Sequence, residues 1–176
     1  MKPLGTVSVR FCDRKSSGFT LIEILVVIGI VAVLAAIVIV AINPARQFAQ
    51  ARNSQRQANV TVLLNAIGQR IADNKGVFSG GTPNCPLLTP STNYRIAKVS
   101  NAGPNDINLS CLTPTYVPAA LPFDPSVVGA YWTSSSDYNT EYFVQLDNQG
   151  RFTVSAPGAL TESALGSNPP AISVTR

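Results

Sequence analysis

Glu23 is the residue whose position most strongly indicates a chemical role. It is the only charged side chain in the apolar run of residues 19–42, and a carboxylate within a membrane-spanning helix costs about 2.5–3.5 kcal/mol. If the chain were cut before Phe19, the new α-amino group would lie about one helical turn from Glu23 and could neutralise it. The amine of a neighbouring chain could do the same. The alternative is that the Glu23 carboxylate merely reaches the membrane interface.

The composition excludes several kinds of chemistry. The 176 residues include no histidine, which removes the commonest general base and the Ser-His and Cys-His nucleophile pairs. We therefore predict a protein that is not an enzyme and that has no cofactor. Hydrophobic residues make up 45% and charged residues 12%, which argues against a wholly disordered chain. Most of the net positive charge lies in residues 1–18, so a nucleic-acid-binding body is not implied.

Asp137, Asn139 and Glu141 form the one candidate metal site. Their oxygen atoms recur at alternating positions, and oxygen ligands suit calcium. Three side chains are few for that ion, so we expect a solvated loop without a metal.

Cys85 and Cys111 are the two cysteines that remain if Cys12 leaves with a cleaved leader. An even pair outside the cytoplasm is typical of a disulfide. Such a bridge would close a loop of about 27 residues and stabilise the fold by about 3 kcal/mol or somewhat more. Two free buried thiols are the alternative, because sequence alone cannot show that the sulfur atoms are close.

The apolar run is long enough to cross a membrane. Its twenty-four residues, 19–42, would span about 36 Å as a helix, against a hydrocarbon core of about 30 Å. Arg10, Arg14 and Lys15 precede the run, so we expect the N-terminus to stay cytoplasmic, although arginines after the run weaken this bias. A buried soluble helix is usually shorter, and a secretory signal would need a small-residue cleavage site that is missing here.

Small residues within the run favour packing against other helices. Gly29, Ala32 and Ala36 recur at three- and four-residue spacing, which lets helices approach closely. The alternative is that alanine simply favours a helix. Pro44 lacks an amide hydrogen and is expected to kink the helix.

The segment KSSGFTLIE at residues 15–23, followed by the apolar run, resembles the N-terminal signal of type IV prepilins and type II secretion pseudopilins. The resemblance covers residues 10–45. It implies cleavage after Gly18 by a membrane prepilin peptidase, N-methylation of Phe19, and a role for Glu23 in register during filament assembly. Gly18 suits such cleavage because a residue without a side chain lets the protease approach the backbone.

Residues 44–75 are predicted to continue the helix in amphipathic form. An apolar stripe lies at helical spacing and consists of Val60, Leu63, Leu64, Ile67 and Ile71. Arginines fill much of the other surface. That basic face could bind nucleic acid or acidic lipid, meet an acidic patch of a neighbouring subunit, or be solvated. Phe48 is the one aromatic side chain among the arginines of residues 44–75, and a single ring is too few for base stacking, so nucleic acid is not expected except in a DNA-uptake system.

The rest of the chain predicts a small sheet. Residues 76–156 form a loop-rich domain in which residues 130–134, 141–147 and 151–155 make a three-stranded antiparallel meander, joined by residues 94–99. The alternating face of Tyr142, Val144 and Leu146 is expected to pack on the helical stripe. The Asp124-Pro125 segment before an aromatic strand resembles the sheet entry of major pseudopilins. Residues 157–176 are predicted to be a flexible tail.

These features together predict an α+β, pilin-like fold. A basic leader at 1–18 is cleaved, and residues 19–43 form a transmembrane and filament-core helix that continues, kinked near Pro44, through residues 44–75 against the sheet. The resemblance implies a subunit of a type IV pilus or pseudopilus, serving adhesion, motility, DNA uptake or type II secretion. Its partners would be copies of itself, other pilin-like subunits, prepilin peptidase, the inner-membrane assembly platform and membrane lipid.

The expected location is the bacterial inner membrane before assembly, with one membrane pass, and an extracytoplasmic or cell-surface filament afterwards. The alternative function is a monomeric membrane-anchored module that binds sugar or protein outside the cytoplasm. A plain anchor does not need Gly18, Phe19 and Glu23 in this spacing.

Overall fold

The structure is a computed structural model that describes residues 18–176. The rest of the predicted leader, with Cys12, lies outside the described residues. The polypeptide divides between Asn43 and Pro44 into two compact units.

The first unit contains helix α1, Leu21–Ile42. None of its residues is buried, and it is long and apolar enough to cross a membrane. The helix ends at Asn43, whose backbone is left-handed with φ 47°. A residue that precedes proline is disfavoured in the right-handed helical region, and asparagine tolerates the left-handed one. The helical run is therefore interrupted immediately before Pro44.

The second unit begins with helix α2, Pro44–Asp73. Its apolar stripe is buried as the spacing predicts, with Val60 and Leu63 at 0% exposure. The helix stops where Lys75 and Gly76 adopt positive φ and the Gly76 amide donates to the Ile71 carbonyl at 2.8 Å. Glycine adopts this left-handed conformation without a steric penalty, which makes it the common residue after a helix.

Within residues 18–176, six strands form one sheet beside α2. They are β1 (Asn93–Lys98), β2 (Asp106–Ile107), β3 (Tyr131–Ser134), β4 (Asp137–Leu146), β5 (Phe152–Ala156) and β6 (Ile172–Thr175). The order is β2-β1-β4-β5-β6, and β3 also pairs with β4. Every pairing is antiparallel except β1 with β2. The predicted β3-β4-β5 meander and the α+β, pilin-like arrangement are confirmed.

Strand β4 is longer than the predicted segment because it contains a bulge. Glu141 has φ 56°, and the register between β1 and β4 shifts at this point. The bulge absorbs the mismatch and lets pairing continue back to Asp137. Tyr138, Tyr142 and Val144 are all buried at 0% exposure in the core that also contains the α2 stripe.

The prediction of a flexible tail at residues 157–176 is wrong. Strand β6 pairs with β5, and the pairing extends to Arg176, which exchanges two backbone hydrogen bonds with Phe152. Ile172 and Val174 alternate with exposed residues and pack against the core. The strand was not predicted because its alternating pattern is only four residues long and follows Pro169-Pro170, which is typical of irregular structure.

A disulfide joins Cys85 and Cys111, whose Cα atoms lie 5.4 Å apart. Both residues are buried, at 1% and 5% exposure. The bridge closes the irregular segment between α2 and β3, which contains the short pair β1 and β2. It therefore fixes a stretch that has few long elements of its own.

Removing this bridge is expected to weaken the body. In the processed chain, Cys85→Ser should lower the free energy of unfolding by about 3 kcal/mol, because the unfolded chain regains loop entropy. Thiol labelling under mild denaturation should then detect Cys111, whereas the parent should show no free thiol without reductant. The matched control is Ser79→Ala, which leaves the bridge intact. Two labelled thiols in the native processed parent would contradict the bridge.

Candidate processing and assembly site

Helix α1 begins with a reciprocal cap built from Thr20 and Glu23. The Glu23 carboxylate atom Oε2 accepts hydrogen bonds from the Thr20 amide at 2.8 Å and the Thr20 hydroxyl at 2.7 Å. The Glu23 amide in turn donates to the Thr20 hydroxyl oxygen at 3.3 Å. This is a capping box, which satisfies backbone donors that the first turn of a helix leaves free. Both bonds to the carboxylate use the same oxygen, so no donor within residues 18–176 occupies Oε1.

Sequence reasoning missed the cap, although its signal was present. A threonine followed three residues later by a glutamate is the pattern of a helix start, and Thr20 and Glu23 have that spacing. The carboxylate therefore has a local partner in the described chain before any cleavage takes place.

Gly18 and Phe19 precede the cap and are open to solvent. Phe19 is 83% exposed. A Cβ atom added to Gly18 would meet nothing within 4 Å, and the glycine does not have positive φ. Nothing in the described chain therefore requires glycine at position 18. Gly29 on α1 also has room for a side chain, because an added Cβ atom there would meet nothing within 4 Å.

The second unit contains a buried charge cluster that sequence reasoning missed. We define it as Arg52, Arg56, Asp124 and Glu162. The Arg56 guanidinium, at 0% exposure, donates to Asp124 through Nε at 2.7 Å and Nη2 at 2.9 Å, and to Glu162 through Nη1 at 2.6 Å. Arg52 donates to both oxygens of Glu162. The cluster ties α2 to the segment before β3 and to the turn after β5.

The cluster strongly favours the charged forms of its acids. Hydrogen bonds from Arg52, aided by Arg56, lower the pKa of Glu162 from 4.5 to about 2. Burial alone would raise the pKa of Asp124, but hydrogen bonds from Arg56 and from the amides of Ser126 and Val127 lower it on balance. Both carboxylates are therefore ionised and paired at neutral pH.

The structure corrects the predicted basic face of α2. Arg56 and Arg70 are buried at 0% and 4% exposure, so neither can be part of a solvated or nucleic-acid-binding surface. Arg70 donates to the carbonyls of Gly80 and Pro83, which orients the chain leading to Cys85. The burial of Arg56 had a signal in the sequence, because it precedes Val60 by four positions and so extends the apolar stripe by one turn.

The candidate calcium ligands have other partners. Asp137 accepts a hydrogen bond from the Tyr131 hydroxyl at 2.7 Å, and Glu141 accepts from Asn139 at 2.7 Å and from Arg95 at 3.3 Å. No group of three or more histidine, cysteine, aspartate or glutamate residues in the range 18–176 is arranged to hold a metal ion. The bulge at Glu141 also disrupts the simple alternation on which the candidate site was based.

Comparison with known proteins bears on the N-terminal segment. Residues 13–39 match the family model described as the prokaryotic N-terminal methylation motif. No curated protein and no solved structure matches the chain. The match contains Gly18, Phe19 and the Thr20–Glu23 cap, so the described geometry lies within the matched segment. Residues 13–39 carry the prepilin signal that type IV pilins and pseudopilins share.

Proposed function

We propose that the protein is a structural subunit of a type IV pilus or pseudopilus filament. The observation that carries this proposal is the methylation motif on a 22-residue apolar helix with no buried residue. Such a surface requires an apolar environment. Membrane lipid supplies one before assembly, and the helices of neighbouring subunits supply one in the filament, where small residues such as Gly29 allow close approach.

Processing prepares the subunit for assembly. Prepilin peptidase cuts after Gly18, and the new N-terminal residue Phe19 is methylated on its amine. The open surroundings of Gly18 support this step, because the requirement for glycine then comes from the peptidase and not from the fold. The Oε1 atom of Glu23 accepts a hydrogen bond from the charged N-terminal amine of its own or a neighbouring subunit, while Oε2 keeps its hydrogen bonds from Thr20.

The body is displayed outside the cytoplasm. The subunit begins in the inner membrane, where α1 is the single pass and the assembly platform receives it, and it ends in a filament with copies of itself and other pilin-like subunits. The disulfide supports an oxidising location for the body. Nucleic acid is a partner only if the filament serves DNA uptake. The methylation motif supports a structural role for the subunit.

A monomeric membrane-anchored binding module is the second candidate. It is supported by the cleft next to β3 described below, but it leaves the methylation motif without a purpose. Comparison of filament and membrane fractions distinguishes the two functions.

The N-terminus of the mature protein tests the proposed processing. Intact-mass and N-terminal peptide mass spectrometry on membranes of a producing cell should show a chain that begins at methylated Phe19. Gly18→Leu should abolish the cut, because a bulky side chain blocks close approach of the peptidase to the backbone. Full-length protein should then accumulate.

Gly29→Leu is the matched control, since it makes the same change at another open glycine of the N-terminal segment. It should be processed normally. Normal trimming of Gly18→Leu, or a mature chain that still contains residues 10–15, would refute the proposed site.

A further inference from the structure

A cleft of about 620 Å³ lies on the body between the disulfide-linked segment and β3. Its volume is in the range of small-molecule sites. No charged side chain of residues 18–176 lines it. The polar side chains of Asn84, Ser110, Thr133 and Ser135 line it, and none of them hydrogen-bonds to another residue within 18–176. The cleft therefore offers hydroxyl and amide groups that are free to bind a ligand.

The single tryptophan of the chain, Trp132, contributes to this lining. Its ring stacks on that of Tyr138, with centroids 4.7 Å apart and planes inclined by 30°. Tyr138 is itself fixed, because it is fully buried and its hydroxyl accepts from the Leu109 amide at 2.8 Å and donates to Asn108 at 2.9 Å. The indole is therefore held on a rigid base at the cleft.

The opposite wall is also held in place. Cys111 lines the cleft and is bonded to Cys85. Thr113, another lining residue, donates its hydroxyl to the Ser110 carbonyl at 2.8 Å. A site built on rigid walls loses little conformational entropy when a ligand binds.

We propose that this cleft binds an uncharged carbohydrate. A sugar ring carries hydroxyl groups that both donate and accept, which matches the free serine and threonine hydroxyls and the Asn84 amide. Its C–H face packs on an aromatic ring such as that of Trp132. The lack of charged side chains disfavours phosphates, carboxylates and cations, which need opposite charge. This binding goes beyond the role of a filament subunit and does not depend on it.

Trp132 makes the binding directly measurable. The processed full chain, in a detergent without sugar groups, is titrated with galactose, mannose, N-acetylglucosamine and N-acetylgalactosamine, each as monosaccharide and trisaccharide. Trp132 fluorescence and calorimetry are recorded for each. At least one saccharide should bind saturably. Thr133→Val and Ser135→Ala should each weaken that binding by about 5–10-fold, because each removes one hydrogen bond.

The matched control is Ser163→Ala, which removes an exposed hydroxyl outside the cleft and should leave binding unchanged. N-acetylneuraminic acid, a charged sugar, should bind more weakly than the best neutral saccharide. Absence of saturable binding for all eight saccharides by both methods would overturn the proposal. So would binding that is unaffected in both cleft variants. Because the chain is dispersed in detergent, these outcomes are independent of filament assembly.

Discussion

Glu23→Ala protein is expected to be cut after Gly18 and to accumulate in the membrane, but to enter filaments at less than about a tenth of the parent level. Removing the charge makes membrane insertion easier by about 2.5–3.5 kcal/mol, so anchoring cannot be the step that fails. The loss falls on assembly, because the α-amine of Phe19 then has no carboxylate. The measurement is shearing of cells, followed by quantification of the subunit in filament and membrane fractions.

Glu23→Gln separates the charge from the helix cap. Glutamine can accept from the Thr20 amide, so it retains the capping box seen in the structure. It cannot form an ion pair with the amine. We expect Glu23→Gln to assemble nearly as poorly as Glu23→Ala. If Glu23→Gln instead assembles like the parent, the residue serves as a cap and the proposed amine contact is wrong.

Arg56→Met is expected to produce the largest loss of stability in the body. It leaves Asp124, which is 2% exposed, as a buried carboxylate without its cation. Breaking a buried pair in this way destabilises by about 3–5 kcal/mol. Urea titration of the processed chain, followed by Trp132 fluorescence at pH 7, measures this loss. Arg151→Met is the control, since its exposed pair with Asp147 should contribute less than about 1 kcal/mol.

Repeating the titration in acid identifies the charge as the cause. The folded-state pKa of Glu162 is lowered from 4.5 to about 2, so its contribution is present above pH 4.5 and is lost as pH falls toward 2. The parent should therefore weaken over that window. In Arg56→Met the unpaired Asp124 becomes protonated, and the difference from the parent should shrink at pH 3. A difference of the same size at pH 3 and pH 7 would mean that lost packing, and not charge, is responsible.

Local patterns in the sequence predicted much of this fold, because the elements concerned depend on neighbours along the chain. The apolar run predicted α1, the stripe containing Val60 predicted α2, and the alternation around Val144 predicted the buried face of β4. The prepilin resemblance identified Gly18, Phe19 and Glu23, and the family model matches the same segment. Their roles in processing and assembly remain predictions.

Contacts between distant parts of the chain could not be predicted in this way. Arg56 meets Asp124 and Glu162 at separations of 68 and 106 residues, and neither periodicity nor spacing contains that information. Strand β2 has only two residues and is parallel to β1, so it has no pattern of its own. The cleft at Trp132 likewise depends on a loop that is held by a disulfide.

If the chain is exported as proposed, the long reach of the buried charge cluster has a consequence for that step. A polypeptide that is anchored by α1 and crosses the membrane from that end delivers α2 to the far side first. Until the C-terminal part of the chain has crossed, Arg56 lacks its partner Glu162 and the edge of β5 lacks its pairing with β6, which begins at Ile172. The body therefore cannot complete its fold during translocation, and a stalled chain presents an unpaired strand edge to proteases and to other stalled chains.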